Sequence, residues 1–380
     1  VFILENKSDM MDLFHFFGQL EDPRKDINQK YPFLEILFLT MSAVISGAEG
    51  WADIKRFGDS HIAWLRQYLP FKQGIPVDDT IARIIRRLSP VQLNDIFINF
   101  VNQVRSAQGV EQIAIDGKTL RHSFSNGTKT ALHSITVWSK SRGLVLAQQK
   151  SPGWKNEQQG VLEILDSLIL KNAIVSVDAI NTQKKIAAKI VAKKGHYVMA
   201  LKRNHRLFRQ EAEAYLHKLE RDEPSLIERY EETVCERGRI DHRVYHKVNV
   251  TDWLSESAQW AGIQSVLRVN RTREDKRSGK QQQEVAFYIS SLEADVQQLA
   301  QSIRGHWEVE NKAHWVLDVV YKEDDCTINA EDGAENMAIL RRFALNLSRL
   351  HPDKMSMRGK LKMAGWSDEY RSALIFGVGG

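Results

Sequence analysis

The sequence predicts a mixed α/β protein: a helical N-terminal domain, a mixed β-sheet, and a strand-rich insertion ahead of a last helical stretch. Three observations predict it. Apolar residues keep helical spacing from residue 9 to about 106. From Val110 the pattern turns to short apolar runs, first three strands and then helix and strand in alternation. Residues 205 to about 294 interrupt that alternation with further strands before helical spacing returns.

Met11, Leu13, Phe14, Phe17 and Leu20 space a first helix ahead of the loop Glu21–Arg24. The apolar stretch Phe33–Ile45 contains Glu35 and reads as a buried helix, too short to span a bilayer. Ile54, Phe57, His61 and Leu65 share one face of a third helix. Asp79 and Thr80 start a fourth, whose far face carries Arg83, Arg86 and Arg87, either a DNA-groove element or a solvated face. Gln92 to Val104 closes the helical part.

The strands then run Ile113–Ile115, Ala131–Trp138 and Gly143–Ala147, with Ser139–Arg142 as a hairpin turn. An amphipathic helix (Asn156 to Leu170), a strand ending at Asp178, a helix (Gln183 to Lys193) and the strand His196–Leu201 follow. This is the element order of a ribonuclease H-like fold, and Gly-rich phosphate loops are absent. The insertion reads as a helix, Phe208 to Glu220, and strands at Tyr230–Val234, Arg243–Val250, Ser265–Asn270 and Glu284–Ser291. Between the last two, Arg268 to Lys280 holds six basic residues against two acidic ones, in what reads as a polar loop suited to a phosphate backbone or a solvated hairpin tip. Arg341, Arg342, Arg349, Lys354, Arg358, Lys360 and Lys362 make the C-terminal segment basic. The expected domains are a helical N-terminal domain at 1–108, the core sheet at 109–204, the insertion at 205–294, the rest of the core at 295–350, and a basic tail at 351–380.

With 380 residues, 43% hydrophobic and 27% charged, the chain has the composition of a globular protein with a large core. Its 53 basic and 48 acidic residues leave +5, which permits nucleic-acid binding without requiring it. Cys235 and Cys326 are too few for a disulfide framework or a cysteine zinc site, and Glu5 and Lys7 break any signal-peptide core. A cytoplasmic protein without a membrane partner is expected.

Three carboxylates stand where hydrocarbon is usual. Asp116 ends the apolar run Ile113–Ile115, and Asp178 ends Ala173–Val177. Glu310 follows Leu299, Ile303 and Trp307, and precedes His314, at helical steps that predict an inward face. Buried carboxylates are costly unless a cation or donor answers them. Each alone also reads as a turn or cap residue, or as a partner for Arg304 or Lys312; together they also read as a shared divalent-metal site. His306 and His314, two turns apart, have no third soft ligand at zinc spacing, so packing or a phosphate contact is the simpler reading. Trp307 and Trp315 read as core. Lys118 and Arg121, near the first acid, suit either phosphate contacts or salt bridges.

The motifs Ile115-Asp116-Gly117-Lys118-Thr119-Leu120-Arg121, Val177-Asp178-Ala179 and His306-Trp307-Glu308-Val309-Glu310-Asn311 closely resemble those of the H-repeat-associated, ISAs-type transposases. These are a branch of the DDE transposases with a ribonuclease H-like catalytic domain. The resemblance covers nearly all the chain and includes Ala43–Trp51, Asp78–Arg83, Ala200-Leu201-Lys202-Arg203-Asn204 and Tyr288–Ser291. It implies a catalytic triad of Asp116, Asp178 and Glu310 that binds Mg²⁺ or Mn²⁺, with Asp116 bridging two ions about 4 Å apart. It also implies metal-dependent cleavage of an insertion-sequence end and transfer of the freed 3′-hydroxyl to target DNA. Double-stranded DNA, at element ends and target, is the implied partner, with a homodimer in the DNA complex. Candidate DNA contacts are Lys118, Arg121, Lys202, Asn204, Arg271, Arg273, Arg304 and His306. Arg304 stands next to where the broader transposase pattern of tyrosine, arginine and glutamate places its cation; Ile303 and His306 fill the first two places of that pattern. Other departures fall in the run Trp154-Lys155-Asn156-Glu157 (Lys-Ser-Asn-Glu in related sequences), at Asn181 and Thr182 (glycine and cysteine in related sequences), at His205 and at Asn329. The alternatives are a catalytically inactive DNA-binding remnant and a nuclease that cleaves without joining.

Overall fold

The computed structural model describes residues 13–25, 29–104, 111–120, 133–151, 157–236, 238–328 and 330–377, without the side chain of Arg203. Helices open the chain: α1 (Leu13–Phe17), α2 (Phe33–Ile45), α3 (Trp51–Leu65), α4 (Asp78–Arg86) and α5 (Pro90–Val104). Helix α2 is buried almost throughout, as its apolar run predicts, and its Glu35 is answered by the backbone N–H of Phe71, 2.7 Å away. The sheet begins with β1 (Gln112–Thr119), β2 (His133–Ser139) and β3 (Leu144–Ser151), then α6 (Glu157–Ser167), β4 (Ile174–Val177), α7 (Lys184–Ala192) and β5 (His196–Leu201). Next come α8 (Arg206–Asp222), β6 (Glu228–Glu236), β7 (Arg239–Asn249), β8 (Ser265–Asp275) and β9 (Gln281–Ser290). The chain closes with α9 (Val296–His306), a π-helical turn (Val309–His314), α10 (Trp315–Val319), α11 (Gly333–Leu350), α12 (Met357–Trp366) and α13 (Asp368–Phe376).

The described strands form one sheet of nine, in the order β3-β2-β1-β4-β5-β9-β8-β7-β6. β1, β4 and β5 run parallel, while β2, β3 and the strands of the insertion pair antiparallel. The protein is therefore a mixed α/β fold with a helical N-terminal part, and its insertion continues the sheet through β9 on β5. Helix α11 is buried on nearly every side, packing on α2, α4, α5 and β3, so one hydrophobic core runs through the N-terminal helices and the sheet.

Two expectations about basic segments are corrected. Arg271 to Asp275 is not loop but the continuation of strand β8, because Arg271 and Arg273 share one face and find Asp241 on the neighbouring strand, while Arg268, on the other face, meets Glu220 of α8. The segment expected as a basic tail folds as α12 and α13 against α2 and α11. Its Lys360 is buried and donates to the carbonyls of Ser348 (2.8 Å) and His351 (2.9 Å), while Arg341 and Arg342 are buried in α11.

Candidate active site

Parallel pairing of β1 with β4 sets Ile115 opposite Val177, so Asp116, which lies within β1 and not at its exit, stands beside Asp178, the first residue past β4. In open α/β sheets the carboxyl ends of neighbouring parallel strands are the usual place for a ligand. Helix α9 lies across β1, β4 and β5. It packs closely because residue 305 is glycine; a Cβ there would meet the Gln112 side chain at 2.3 Å. Gln112 in turn donates to the carbonyl of Ser302. One turn further His306 sits 3.1 Å from the Ser176 hydroxyl, and burial together with nearby Lys202 lowers its pKa to about 4. It is neutral at pH 7.

After His306 the helix changes character. The π-helical turn breaks the spacing on which the inward face of Glu310 was predicted, and π turns recur at functional sites. Glu310 is exposed at the lip of the cleft, and Trp307 and Trp315, expected in the core, are 54% and 53% exposed. His314 is buried on the other side of the turn, its Nδ1 3.5 Å from Asp116; burial, Arg342 and Lys118 lower its pKa to about 3.

Asp116, Asp178 and Glu310 open into one cleft of about 830 Å³, whose lining also includes Lys202, Arg209, Arg271 and Glu284. Burial, followed by the fields of Asp178, Glu157 and Glu310, pushes Asp116 up to about 7. Asp178 is also raised, by burial and Glu157, against hydrogen bonds from Asn181 and Ile180. Among the described residues no Lys or Arg lies within ion-pair distance of Asp116 or Asp178. The cleft thus concentrates negative charge at one end without answering it.

Among the described residues no three carboxylates, imidazoles or thiols converge closely enough to hold a metal ion as they stand. The chemistry of the donors nevertheless fits one. Asp116, Asp178 and Glu310 offer carboxylate oxygens, the hard ligands that Mg²⁺ and Mn²⁺ take, at a point that lacks positive charge.

The candidate DNA contacts divide. Lys202, Asn204, Arg271 and His306 line the cleft. Asn204 also donates to the carbonyl of Ala179 at 2.9 Å. Arg271 is gripped by Asp241 through two hydrogen bonds of 2.9 and 3.1 Å, and Arg273 shares that acid at 3.2 Å. Of the two readings of Lys118, the structure has the salt bridge: its ammonium meets Asp318, Glu323 (3.1 Å) and Asp324 (3.4 Å), and its side chain is 10% exposed. Arg304 turns away from the cleft to Glu232 at 2.9 Å, so it does not supply the cation expected of it there. Arg121 lies outside the described residues, as do the departures at 154–156 and 329.

Sequence reasoning met Glu157 and Asn181 only within the departures from the family pattern, not as contacts, and passed over Arg209. Glu157 is buried at the start of α6, 2.8 Å from His133 Nε2, whose Nδ1 meets the Thr119 hydroxyl at 2.9 Å. An acid in the first turn of a helix is ordinary, since it favours the helix dipole, so nothing local marks it. Arg209 lies along α8 with its guanidinium 5.5 Å from the Phe287 ring, a placement set by the sheet rather than by spacing.

Comparison with known proteins supplies the class. Residues 108–347 match the family described as "Transposase DDE domain", and residues 14–101 match the segment described as "DDE_Tnp_1-associated". The "H repeat-associated putative transposase YhhI" of Escherichia coli K12 is 35% identical over 378 residues, 98% of this chain and 99% of that protein. An "Inactive transposase YbfQ" of the same organism is 61% identical over 51 residues, 13% of this chain and 61% of that protein. The solved piggyBac transposase synaptic complex with hairpin DNA overlaps with a TM-score of 0.45 at 10% identity, over 95% of this chain and 76% of that one, a likeness too distant to bear on the site. The chain belongs to the DDE transposases, in their H-repeat-associated branch. No helix among the described residues is long and apolar enough to cross a membrane.

Proposed function

We propose that this transposase cuts and joins DNA, with Asp116, Asp178 and Glu310 as its catalytic acids and as ligands of Mg²⁺ or Mn²⁺. The observation that carries the reading is the shared cleft: three acids from two adjacent parallel strands and the π-helical turn line it together with Lys202, Arg209 and Arg271. When bound, divalent cations supply the positive charge that phosphodiester chemistry needs at the attacking and leaving oxygens. The chain's own residues do the rest. Lys202, Arg209 and Arg271 seat the phosphates that flank the reacting one, as cations do along a DNA backbone. Asn204 and neutral His306 offer polar contacts beside them. Hydrolysis at the element end joins the water oxygen to phosphorus and releases a 3′-hydroxyl. In the joining step that hydroxyl attacks a target phosphodiester, a new P–O bond replaces the old one, and the target's own 3′-oxygen leaves with a proton. Double-stranded DNA is then the partner, a homodimer the unit in the DNA complex, and the cytoplasm the location. The domain limits 1–108, 109–204, 205–294, 295–350 and 351–380 remain our working division of the chain.

A second reading, a DNA-binding remnant without catalysis, draws on the acids' failure to converge as they stand. Cleavage of labelled element-end DNA in Mg²⁺ or Mn²⁺, wild type beside Glu310→Ala, separates the two. The active reading expects metal-dependent nicking that the variant loses while binding DNA as before. Nicking retained in Glu310→Ala would reject the assignment, and DNA bound but uncut by both proteins would favour the remnant.

A further inference from the structure

Behind the candidate acids runs a chain of hydrogen bonds, exposed at Thr119 and buried from His133 inward, that no step above uses. Thr119 meets His133, and His133 meets Glu157. Asn181 then donates one carboxamide hydrogen to Glu157 Oε1 and the other to Asp178 Oδ1, the latter at 2.9 Å. The backbone N–H of Asn181 reaches the same Oδ1 at 3.1 Å. Asn181 is fully buried and Glu157 nearly so. The two carboxylates fix the orientation of the amide, because the flipped form would set its carbonyl oxygen against both. That carbonyl oxygen has no protein partner. Glu157 also presses on the residue beside Asp116: a Cβ at Gly117 would lie 2.6 Å from the Glu157 carboxyl carbon.

We propose that Asn181 is a positioning residue of this site, its carboxamide anchored on Glu157 so that Asp178 presents Oδ2, and not Oδ1, to the cleft. Glu157 is thereby a fourth acid of the site, acting through Asn181. Both hydrogens of one amide are committed to two acids, so the side chain holds Asp178 in a single rotamer and keeps Glu157 out of the cleft. An apolar residue at 181 would leave two buried carboxylates facing each other without a donor. Groups that orient a ligand from behind commonly set metal affinity by about 10–100-fold. The inference rests on the metal-binding reading above.

The test is Mn²⁺ uptake by the full, DNA-free chain, followed by the electron paramagnetic resonance of free Mn²⁺, with the thermal midpoint of each variant recorded beside it. Asp178→Asn should abolish the tightest uptake. Asn181→Ala should weaken it by about tenfold or more, and Glu157→Gln, which keeps size and removes charge, should weaken it less. A purely structural role would lower the midpoint and leave Mn²⁺ affinity of the folded chain unchanged, which would overturn the proposal. Uptake lost in Asp178→Asn but equal or tighter in Asn181→Ala would also overturn it and leave the proposed function standing. A wild type without any uptake that Asp178→Asn removes would overturn both.

Discussion

Two ionic clusters share strand β1 and have opposite characters. Asp116 shares its surroundings with Asp178, Glu157 and Glu310, and its pKa is pushed up to about 7. Two residues along, Lys118 reaches Asp318, Glu323 and Asp324, and Arg342 meets Glu323 at 2.6 Å. Burial alone would raise Glu323 as well, yet Arg342 and Lys118 hold it down at about 2. Burial is similar in kind at the two places, so it does not decide the outcome; the cation does. The Glu323 cluster is complete within the chain and ties β1 to the segment after the π-helical turn. Among the described residues the Asp116 cluster has no such Lys or Arg.

The comparison breaks most visibly at the closed cluster. Arg342→Met leaves Glu323 buried with half its answer gone, and should cost about 3–5 kcal/mol in urea unfolding at pH 7. The sign with pH follows from the depressed pKa: the wild-type contribution is present above the ordinary carboxylate range near 4.5 and lost as pH falls through about 2. A loss below about 1 kcal/mol would mean that the pair is not the lock described. The smallest effect belongs to the exposed aromatics. Trp307→Ala and Trp315→Ala should each change folding stability by about 0.5 kcal/mol or less. A loss of about 3–5 kcal/mol, the cost of emptying a core site, would return these tryptophans to the interior.

The same contrast explains what the sequence could reveal. The strands carrying Asp116 and Asp178 are legible because their apolar runs are local; β4 stops at Val177 as expected, whereas β1 runs on past Asp116 to Thr119 through its pairing with β2. The buried α2, the alternation of α6, β4, α7 and β5, and the insertion's strands were legible for the same reason. The inward face of Glu310 is missed because the spacing argument assumes an unbroken α-helix, and a π turn has no clear signature in composition; Trp307 stands ahead of that turn, at the C-terminal cap of α9, and is exposed there. Lys118 meets acids some 200 positions later, so nothing nearby tells phosphate contact from salt bridge. Arg271 and Arg273 looked like a free basic loop because Asp241, which holds them, comes from another strand. Asn181 stood out only as a departure, and its work as a bridge depends on Glu157 from a different element.

The claim that the Asp116 cluster lacks a cation is tested most directly by urea unfolding of wild type and Asp116→Asn between pH 4 and pH 8, without divalent ions. A raised folded pKa means that the folded state holds a proton the unfolded state has released. Wild-type stability from this group is therefore present below about 4 and lost as pH rises through about 7. Asp116→Asn has nothing to lose there. The account predicts near-equal stability of the two proteins at pH 4, and a variant more stable by roughly 1–4 kcal/mol at pH 8. A difference that stays flat across that range, or favours the wild type at pH 8, would contradict it.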